Sequence, residues 1–482
     1  MTSDLIPHPG PRRSGTSLTR ALLTGLVLPM AAVLGLAALG LAATAPAAAQ
    51  LPPTNPTDKA LATMTTTEDV PTVAINPASS AALAMSFARA GGCFVRTSAD
   101  GGTTWTTPVR LRASVAGGTC VSAEIAFAPD GSRLYAAYAE WGPQTGTWQL
   151  NRILVAVSSD GGRTWGAPAT VLQGSSDPNA DAFLQPQVAT PLHSADAKWV
   201  YVTAVQHYRY GAATKFARSE TFGSTWTVTA SVGIRHRYAY ELLPPLQATR
   251  HTLAAGPGSE VMLVNACGGC DDADYPDGIA RDQGVRVWRS TNYGAGFITG
   301  IDPPVYAQRG PLAYRFPANV AWGWGETAVG PAVAYGIGGT AHVIYPANGR
   351  LHYIWARPPY TAWSVPEMVD DNSAGAKETP VLQVRACGST TYLHALWYDG
   401  RRDATGRRYD VFYARRPAAA GGVWSNNARV SNATSYPELP WSSTGIAVNG
   451  GSVFAVWPDR RDNGGYDLDI FGSPIVSGLT CP

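Results

Sequence analysis

Between residues 70 and 476 the chain is written in short apolar runs of five or six residues. Examples are Leu134-Tyr-Ala-Ala-Tyr138, Ile153-Leu-Val-Ala-Val157, Tyr392-Leu-His-Ala-Leu-Trp397 and Val453-Phe-Ala-Val-Trp457. Gly, Pro, Ser, Asp and Asn cluster between them. β-Branched and aromatic residues in runs of that length, bounded by turn formers, predict strands. No segment carries the three-to-four spacing of an amphipathic helix.

The runs group into units that open on a strand of the form Pro-x-Val-Ala. Openings fall at Pro71–Ala74, Ala123–Ala126, Pro186–Ala189, Leu246–Thr249, Pro331–Ala334, Pro380–Gln383 and Gly445–Val448. Seven units of roughly 60 residues leave room for four strands and their loops. The last unit ends after its third strand, near Ile475, and residues 59–66 can supply the missing outer strand. The expectation is all-β: a single propeller of four-stranded blades, seven in number, with six as the alternative. Trp363 and Trp424 are expected to mark the turn before the fourth strand in the fifth and sixth units.

One phrase punctuates the units. Ser98-Ala-Asp100-Gly-Gly102-Thr-Thr-Trp105 recurs as Ser158-Ser-Asp160-Gly-Gly162-Arg-Thr-Trp165, then in altered form from Ser219 and from Ser290, at steps of 60, 61 and 71. Such a period marks a repeated supersecondary unit. Asp accepts backbone N–H groups in a tight turn, Gly permits positive φ, and Trp is an apolar plate. Each copy is expected to be a hairpin turn between third and fourth strands, with a structural role.

Ser-x-Asp-x-Gly-x-x-Trp resembles the Asp box, or bacterial neuraminidase repeat, of the sialidase superfamily, whose members are propellers. That resemblance implies a Tyr nucleophile with a neighbouring Glu, an Asp acid/base, and three Arg that clamp a substrate carboxylate. The family's first Arg stands in an Arg-Ile-Pro-like phrase on the first blade. Here the strand reads Val70-Pro-Thr-Val-Ala-Ile-Asn76, without Arg. Tyr238 with Glu241, and Tyr436 with Glu438, are the candidate Tyr–Glu pairs, and no Asp is assigned as acid.

Strand parity sorts the loops. The turns that carry the phrase share one face, here the lower, with the first-to-second turns. Second-to-third loops and blade crossovers lie on the upper face. The upper loops hold Glu140-Trp141, Gln206–Tyr210, Asp271–Asp277, Asp399-Gly-Arg401 and Asp459-Arg460, and the crossovers add Arg235, Arg237 and Arg315. Arg binds carboxylates bidentately and aromatics stack on sugar rings. The expected ligand-binding set is therefore Arg235, Arg237, Arg315, Asp399, Arg401, Asp459 and Arg460, with a glycan, acidic sugars included, or a protein as partner. Trp397-Tyr-Asp399-Gly-Arg401 and Trp457-Pro-Asp459-Arg460 are versions of one phrase, and the competing expectation is that each Asp–Arg pair pins its hairpin.

The only long apolar stretch, Ala21 to Ala45, follows Arg12, Arg13 and Arg20 and precedes Ala47-Ala-Ala49. Residues 1–49 are expected to be a cleaved signal peptide, with an uncleaved membrane anchor as the alternative. Residues 50–69 then form a leader and closing strand, and 70–482 the propeller. Without 1–49 the chain has 33 basic and 33 acidic residues. That balance excludes an electrostatic case for nucleic acid or an anionic membrane surface.

Six cysteines in an exported chain fit three disulfides. Cys93–Cys120 is expected to staple the first blade, Cys387–Cys481 to tie the chain's end to the preceding blade, and Cys267–Cys270 to close a small loop, with a redox or metal site at that spacing as the alternative. No cofactor or metal is expected. Calcium at Asp271–Asp277 or Asp462–Asp469 is the weighed alternative, although neither run has EF-hand spacing. A secreted monomer is expected.

Overall fold

A computed structural model describes residues 58–62, 68–143, 151–174, 182–208, 211–237, 251–268, 283–299, 330–347, 349–403, 405, 408–436, 443–461 and 468–481. It is an all-β ring of seven four-stranded antiparallel blades. Six blades run in sequence order from an inner strand to an outer one, and the seventh takes its outer strand from the start of the chain. The inner strands Glu68–Asn76, Thr119–Phe127, Ala182–Ala189, His251–Ala255, Ala332–Tyr335, Lys377–Cys387 and Gly445–Asn449 are successive neighbours around the ring. Six of them carry or overlap the anticipated openings. The fourth differs: 246–249 lies outside the described residues, and the strand there is His251–Ala255.

Ring closure follows the sequence reading. Lys59–Ala62 pairs antiparallel with Asp469–Val476 and becomes the outer strand of the seventh blade. Apolar packing makes the same connection, because Leu61, Phe454 and Ile470 share one buried cluster with Val73, Leu83 and Phe87 of the first blade. Every blade lends one face to each neighbour. Leu396, Tyr398 and Tyr413 of blade 6 meet Ile446, Val453 and Trp457 of blade 7 in another cluster. Each such side chain contributes about 1.5–3 kcal/mol when fully buried. The core therefore lies between blades, and the ring's centre is left as a channel.

All four copies of the repeated phrase form the turn before the fourth strand. The Ser98 hydroxyl accepts the Gly102 N–H at 2.9 Å, and Ser158, Ser219 and Ser290 do the same for Gly162, Gly223 and Gly294. The third position accepts the N–H four residues on, whatever residue occupies it. Asp100, Asp160, Thr221 and Asn292 all make that bond, at 2.9, 2.9, 2.9 and 3.0 Å. Gly102 has φ +89°, and a Cβ there would stand 2.2 Å from the Phe454 ring of the neighbouring blade. Gly294 repeats the constraint against Phe216, at 2.3 Å. Glycine at this place thus serves the turn and the blade interface together.

Two of the anticipated disulfides are formed, Cys93–Cys120 and Cys387–Cys481. The first needs a correction. Cys93 lies on the third strand of blade 1 and Cys120 on the inner strand of blade 2, so the bond staples two blades rather than one. The loop 267–270 extends outside the described residues.

Candidate functional site

The two upper-loop Asp–Arg motifs are fully described. The Asp399 carboxylate is buried at the end of the second strand of blade 6. It accepts the Trp397 indole N–H at 3.0 Å, the Arg401 backbone N–H at 2.9 Å and the Arg401 guanidinium at 2.7 Å. Lys377 Nζ stands 3.6 Å away. Arg401 also donates to Asp371 at 2.6 Å and Asn427 at 2.8 Å, and lies over the Phe412 ring at 4.3 Å. Burial would push its pKa down, but the Asp399 and Asp371 carboxylates more than offset this and raise it.

Blade 7 repeats the arrangement with a shift in the expected pairing. Asp459 is held by Arg461, whose backbone N–H bonds it at 2.8 Å and whose Nε bonds it at 2.7 Å. Arg460 instead uses its backbone N–H on Ser435 Oγ at 3.0 Å. The working spacing is Asp-x-Arg, as in Asp399-Gly-Arg401. Arg461 reaches Asp58 at 2.6 Å, bonds Asn432, and lies over Phe471 at 4.3 Å. Both guanidinia are 12–13% exposed, with carboxylates on two sides. An incoming anion reaches them only by displacing these partners.

Other expected positions are dispersed. Tyr436 is exposed under the Arg408 guanidinium, 4.8 Å from its ring. Arg235 and Arg237 fall on the outer strand Thr227–Arg237, where side chains are outside the described part. Tyr238, Glu241, Arg315, Glu438 and Asp271–Asp277 lie outside the described residues, as do residues 1–57. No helix among the described residues is long and apolar enough to cross a membrane.

The mouth of a central channel was anticipated from the sequence, but not the residues that line the channel. All seven inner strands line a central channel of about 850 Å³. Most of its wall is Ala, Val, Leu and Ile, interrupted by Thr72, Glu124, Gln185, Gln187, Gln383 and Arg385. Trp141, Gln185, Ser443 and Thr444 stand at the upper end, where loops enter the inner strands. Four inner strands bulge there, and in three of them Val70, Gln185 and Thr379, each before a proline, take positive φ of 50°, 51° and 43°. Left-handed backbone costs such residues about 1–3 kcal/mol and persists where packing over-determines it. The bulges re-aim side chains at the rim. The sequence signal was available: Gln383 and Arg385 are polar residues at alternate positions of an inner strand, which places both on one face.

No protein-family model and no curated protein sequence matches the chain. Solved structures do. A sialidase of Trypanosoma rangeli matches over 86% of this chain and 54% of its own, so the chain spans about half that enzyme's length, at 11% identity and a TM-score of 0.43. An α-L-arabinofuranosidase of Fusarium graminearum matches over 72% of this chain and 91% of its own, at 14% identity and a TM-score of 0.43. An ulvan lyase bound to a saccharide matches over 87% of this chain and 96% of its own, at 9% identity and a TM-score of 0.46. At such identities and scores the likeness carries no information about activity.

Proposed function

We propose that the protein is an exported glycan-binding propeller that holds a neutral saccharide at the upper end of its channel. The observation that carries this reading is that Trp141 and Gln185, on adjacent blades, line the channel towards its upper end, with Gln187 further down the same strand. Amides donate and accept, and an aromatic edge beside them suits the alternating hydroxyl and C–H surface of a sugar. Arg401 and Arg461 are committed to carboxylates, which favours a neutral over an acidic ligand. Export is supported by the apolar segment within residues 1–49 and by the two disulfides.

The test is a glycan array and titration with residues 50–482, run beside a fluorogenic sialoside assay. Neutral oligosaccharides are expected to bind, Trp141→Ala to weaken them at least ~10-fold, and the sialoside to stay intact. Binding confined to sialylated glycans, or turnover abolished by Tyr436→Phe, would replace this reading with that of an exo-α-sialidase or related glycoside hydrolase.

A further inference from the structure

The lower end of the channel has a different chemistry. Along the inner strand Lys377–Cys387, Leu382 and Val384 enter the core cluster shared with blade 5, while Val381 packs against the cluster shared with blade 7, and Gln383 and Arg385, at alternate positions after it, share that face and line the channel. Arg385 pairs with Tyr392, two residues from the strand's lower hairpin. Its Nε donates to the Val448 carbonyl at 3.2 Å and its Nη1 to the Val384 carbonyl at 3.0 Å. These bonds fix the fork but bring no negative charge.

The contrast with other arginines is plain. Arg152, Arg350, Arg401, Arg416, Arg429 and Arg461 each face a carboxylate. Arg385 faces none among the described residues. The one carboxylate among the described lining residues, Glu124, belongs to blade 2, across the ring. On the adjacent strand His394 adds no anion. Its burial, then the nearby Arg415 and Arg385, hold its imidazole neutral with a pKa of about 3. A guanidinium keeps its charge at every accessible pH, and withdrawing it from bulk water without a counter-charge is costly.

We propose that the lower channel is an oxyanion site, in which Arg385 binds the carboxylate or phosphate group of a small solute and the Gln383 amide donates a second bond. Guanidinium forks match both groups in shape. The site stands apart from the saccharide reading, which concerns the opposite end and other blades.

Titration calorimetry of residues 50–482 with acetate and with inorganic phosphate, at constant ionic strength, tests it. Saturable binding of one anion per chain is expected, and the stronger of the two names the source. Arg385→Met should weaken binding at least ~10-fold, Arg385→Lys should retain part of it, and Gln383→Ala should weaken it several-fold. Selenate soaked into crystals should give an anomalous peak at the guanidinium. Equal binding by folded Arg385→Met, or no saturable heat and no peak in the parent, overturns the proposal. Should Arg385→Met fail to fold, Gln383→Ala and the selenate map decide. Saccharide titration of the same variants separates the two sites, because it should not change.

Discussion

Blades 6 and 7 solve the same two problems with different residues. Both must be clasped near the upper face, and both must fill the gap between their second and third strands. In the clasps, Arg401 and Arg461 occupy one place, each two residues after a buried Asp and each over a Phe ring. Their remaining partners are exchanged. After the outer strand of the preceding blade stands Asp371 for blade 6 and Asn432 for blade 7. Before the outer strand of the clasped blade itself stands Asn427 for blade 6 and Asp58 for blade 7. One carboxylate and one amide satisfy the Arg in both, and their order is free. What differs is where the carboxylate sits. Asp371 is 42% exposed and lies 30 positions from its Arg, whereas Asp58 is fully buried and lies 403 positions away. The blade 7 clasp therefore closes the whole ring.

The sharpest way to break this comparison is to remove each Arg. Arg461→Met leaves Asp58 and Asp459 buried without their guanidinium, and should cost about 3–5 kcal/mol. Arg401→Met should cost less, about 2 kcal/mol, because Lys377 still faces Asp399 and Asp371 is partly solvated. Denaturant unfolding gives the totals. Hydrogen exchange localises them, with Lys59–Ala62 and Asp469–Val476 losing protection first in the Arg461 variant. The exchanged partners add a rescue. Asp58→Asn alone should destabilise strongly, while Asp58→Asn with Asn432→Asp rebuilds the blade 6 order and should recover most of the loss. No recovery would show that the carboxylate's position, not its presence, matters.

These clasps explain what could and could not be read from the chain. The shared phrase Trp397-Tyr-Asp399-Gly-Arg401 and Trp457-Pro-Asp459 was visible, and so was an Asp–Arg pin within it. The choice of Arg461 over Arg460 was not, because the two differ only in which side of the turn they leave. Asp371 and Asp58 were invisible for a stronger reason: nothing local links them to an Arg so distant in sequence. The blade count and the closing strand were legible because each unit repeats its own strands and turn. The channel residues were not, since Gln383 and Arg385 look like the solvent-facing half of any alternating strand until the ring closes over them.

The second problem, the gap between strands, gives a smaller effect with a sign that depends on pH. In blade 6, His394 Nδ1 lies 2.7 Å from the Tyr413 hydroxyl, both buried. Counting from Trp397 and Trp457, and from Asp410 and Asp469, the same places in blade 7 hold Phe454 and Gly472. A Cβ on Gly472 would meet the Phe454 ring at 2.9 Å, so the Phe has taken the tyrosine's space. Blade 5 repeats the blade 6 solution with His342 and Tyr353, also at 2.7 Å. Burial, aided by nearby Arg side chains, lowers both histidines to about 3. Their unfolded values near 6.5 mean that the unfolded chain binds more protons between pH 6.5 and 3, so stability falls as pH falls through that window. Each should cost roughly 2 kcal/mol at pH 5 relative to neutrality. His394→Leu removes the titrating ring without needing the space that Tyr413 fills. At pH 7 it should lose about 1 kcal/mol through the orphaned Tyr413 hydroxyl, and below pH 5 it should be the more stable protein. Parallel stability curves for parent and variant would sink this assignment.

The weakest test concerns the lower-face turns, where blades 1 and 2 carry Asp and blade 3 carries Thr. The carboxylates of Asp100 and Asp160 are held down to about 2. At Asp100 the Thr104 hydroxyl is the leading cause, and at Asp160 the Thr164 hydroxyl and N–H outweigh a desolvation effect of opposite sign. Thr221 accepts the Thr225 N–H at 2.9 Å with its single hydroxyl, and that hydroxyl also lies 2.7 Å from the Thr225 hydroxyl. One oxygen there does the work that two do in Asp160, which takes the Thr164 N–H on Oδ1 and the Thr164 hydroxyl on Oδ2. Thr221→Asp restores the second acceptor and makes both bonds charge-assisted, so it should stabilise the turn by about 0.5–1 kcal/mol at pH 7. Because a lowered carboxylate contributes above its unfolded pKa and loses that contribution as pH falls toward 2, the gain should vanish in acid. A gain that persisted at pH 2 would come from packing, and the third position would then matter for its shape rather than its charge.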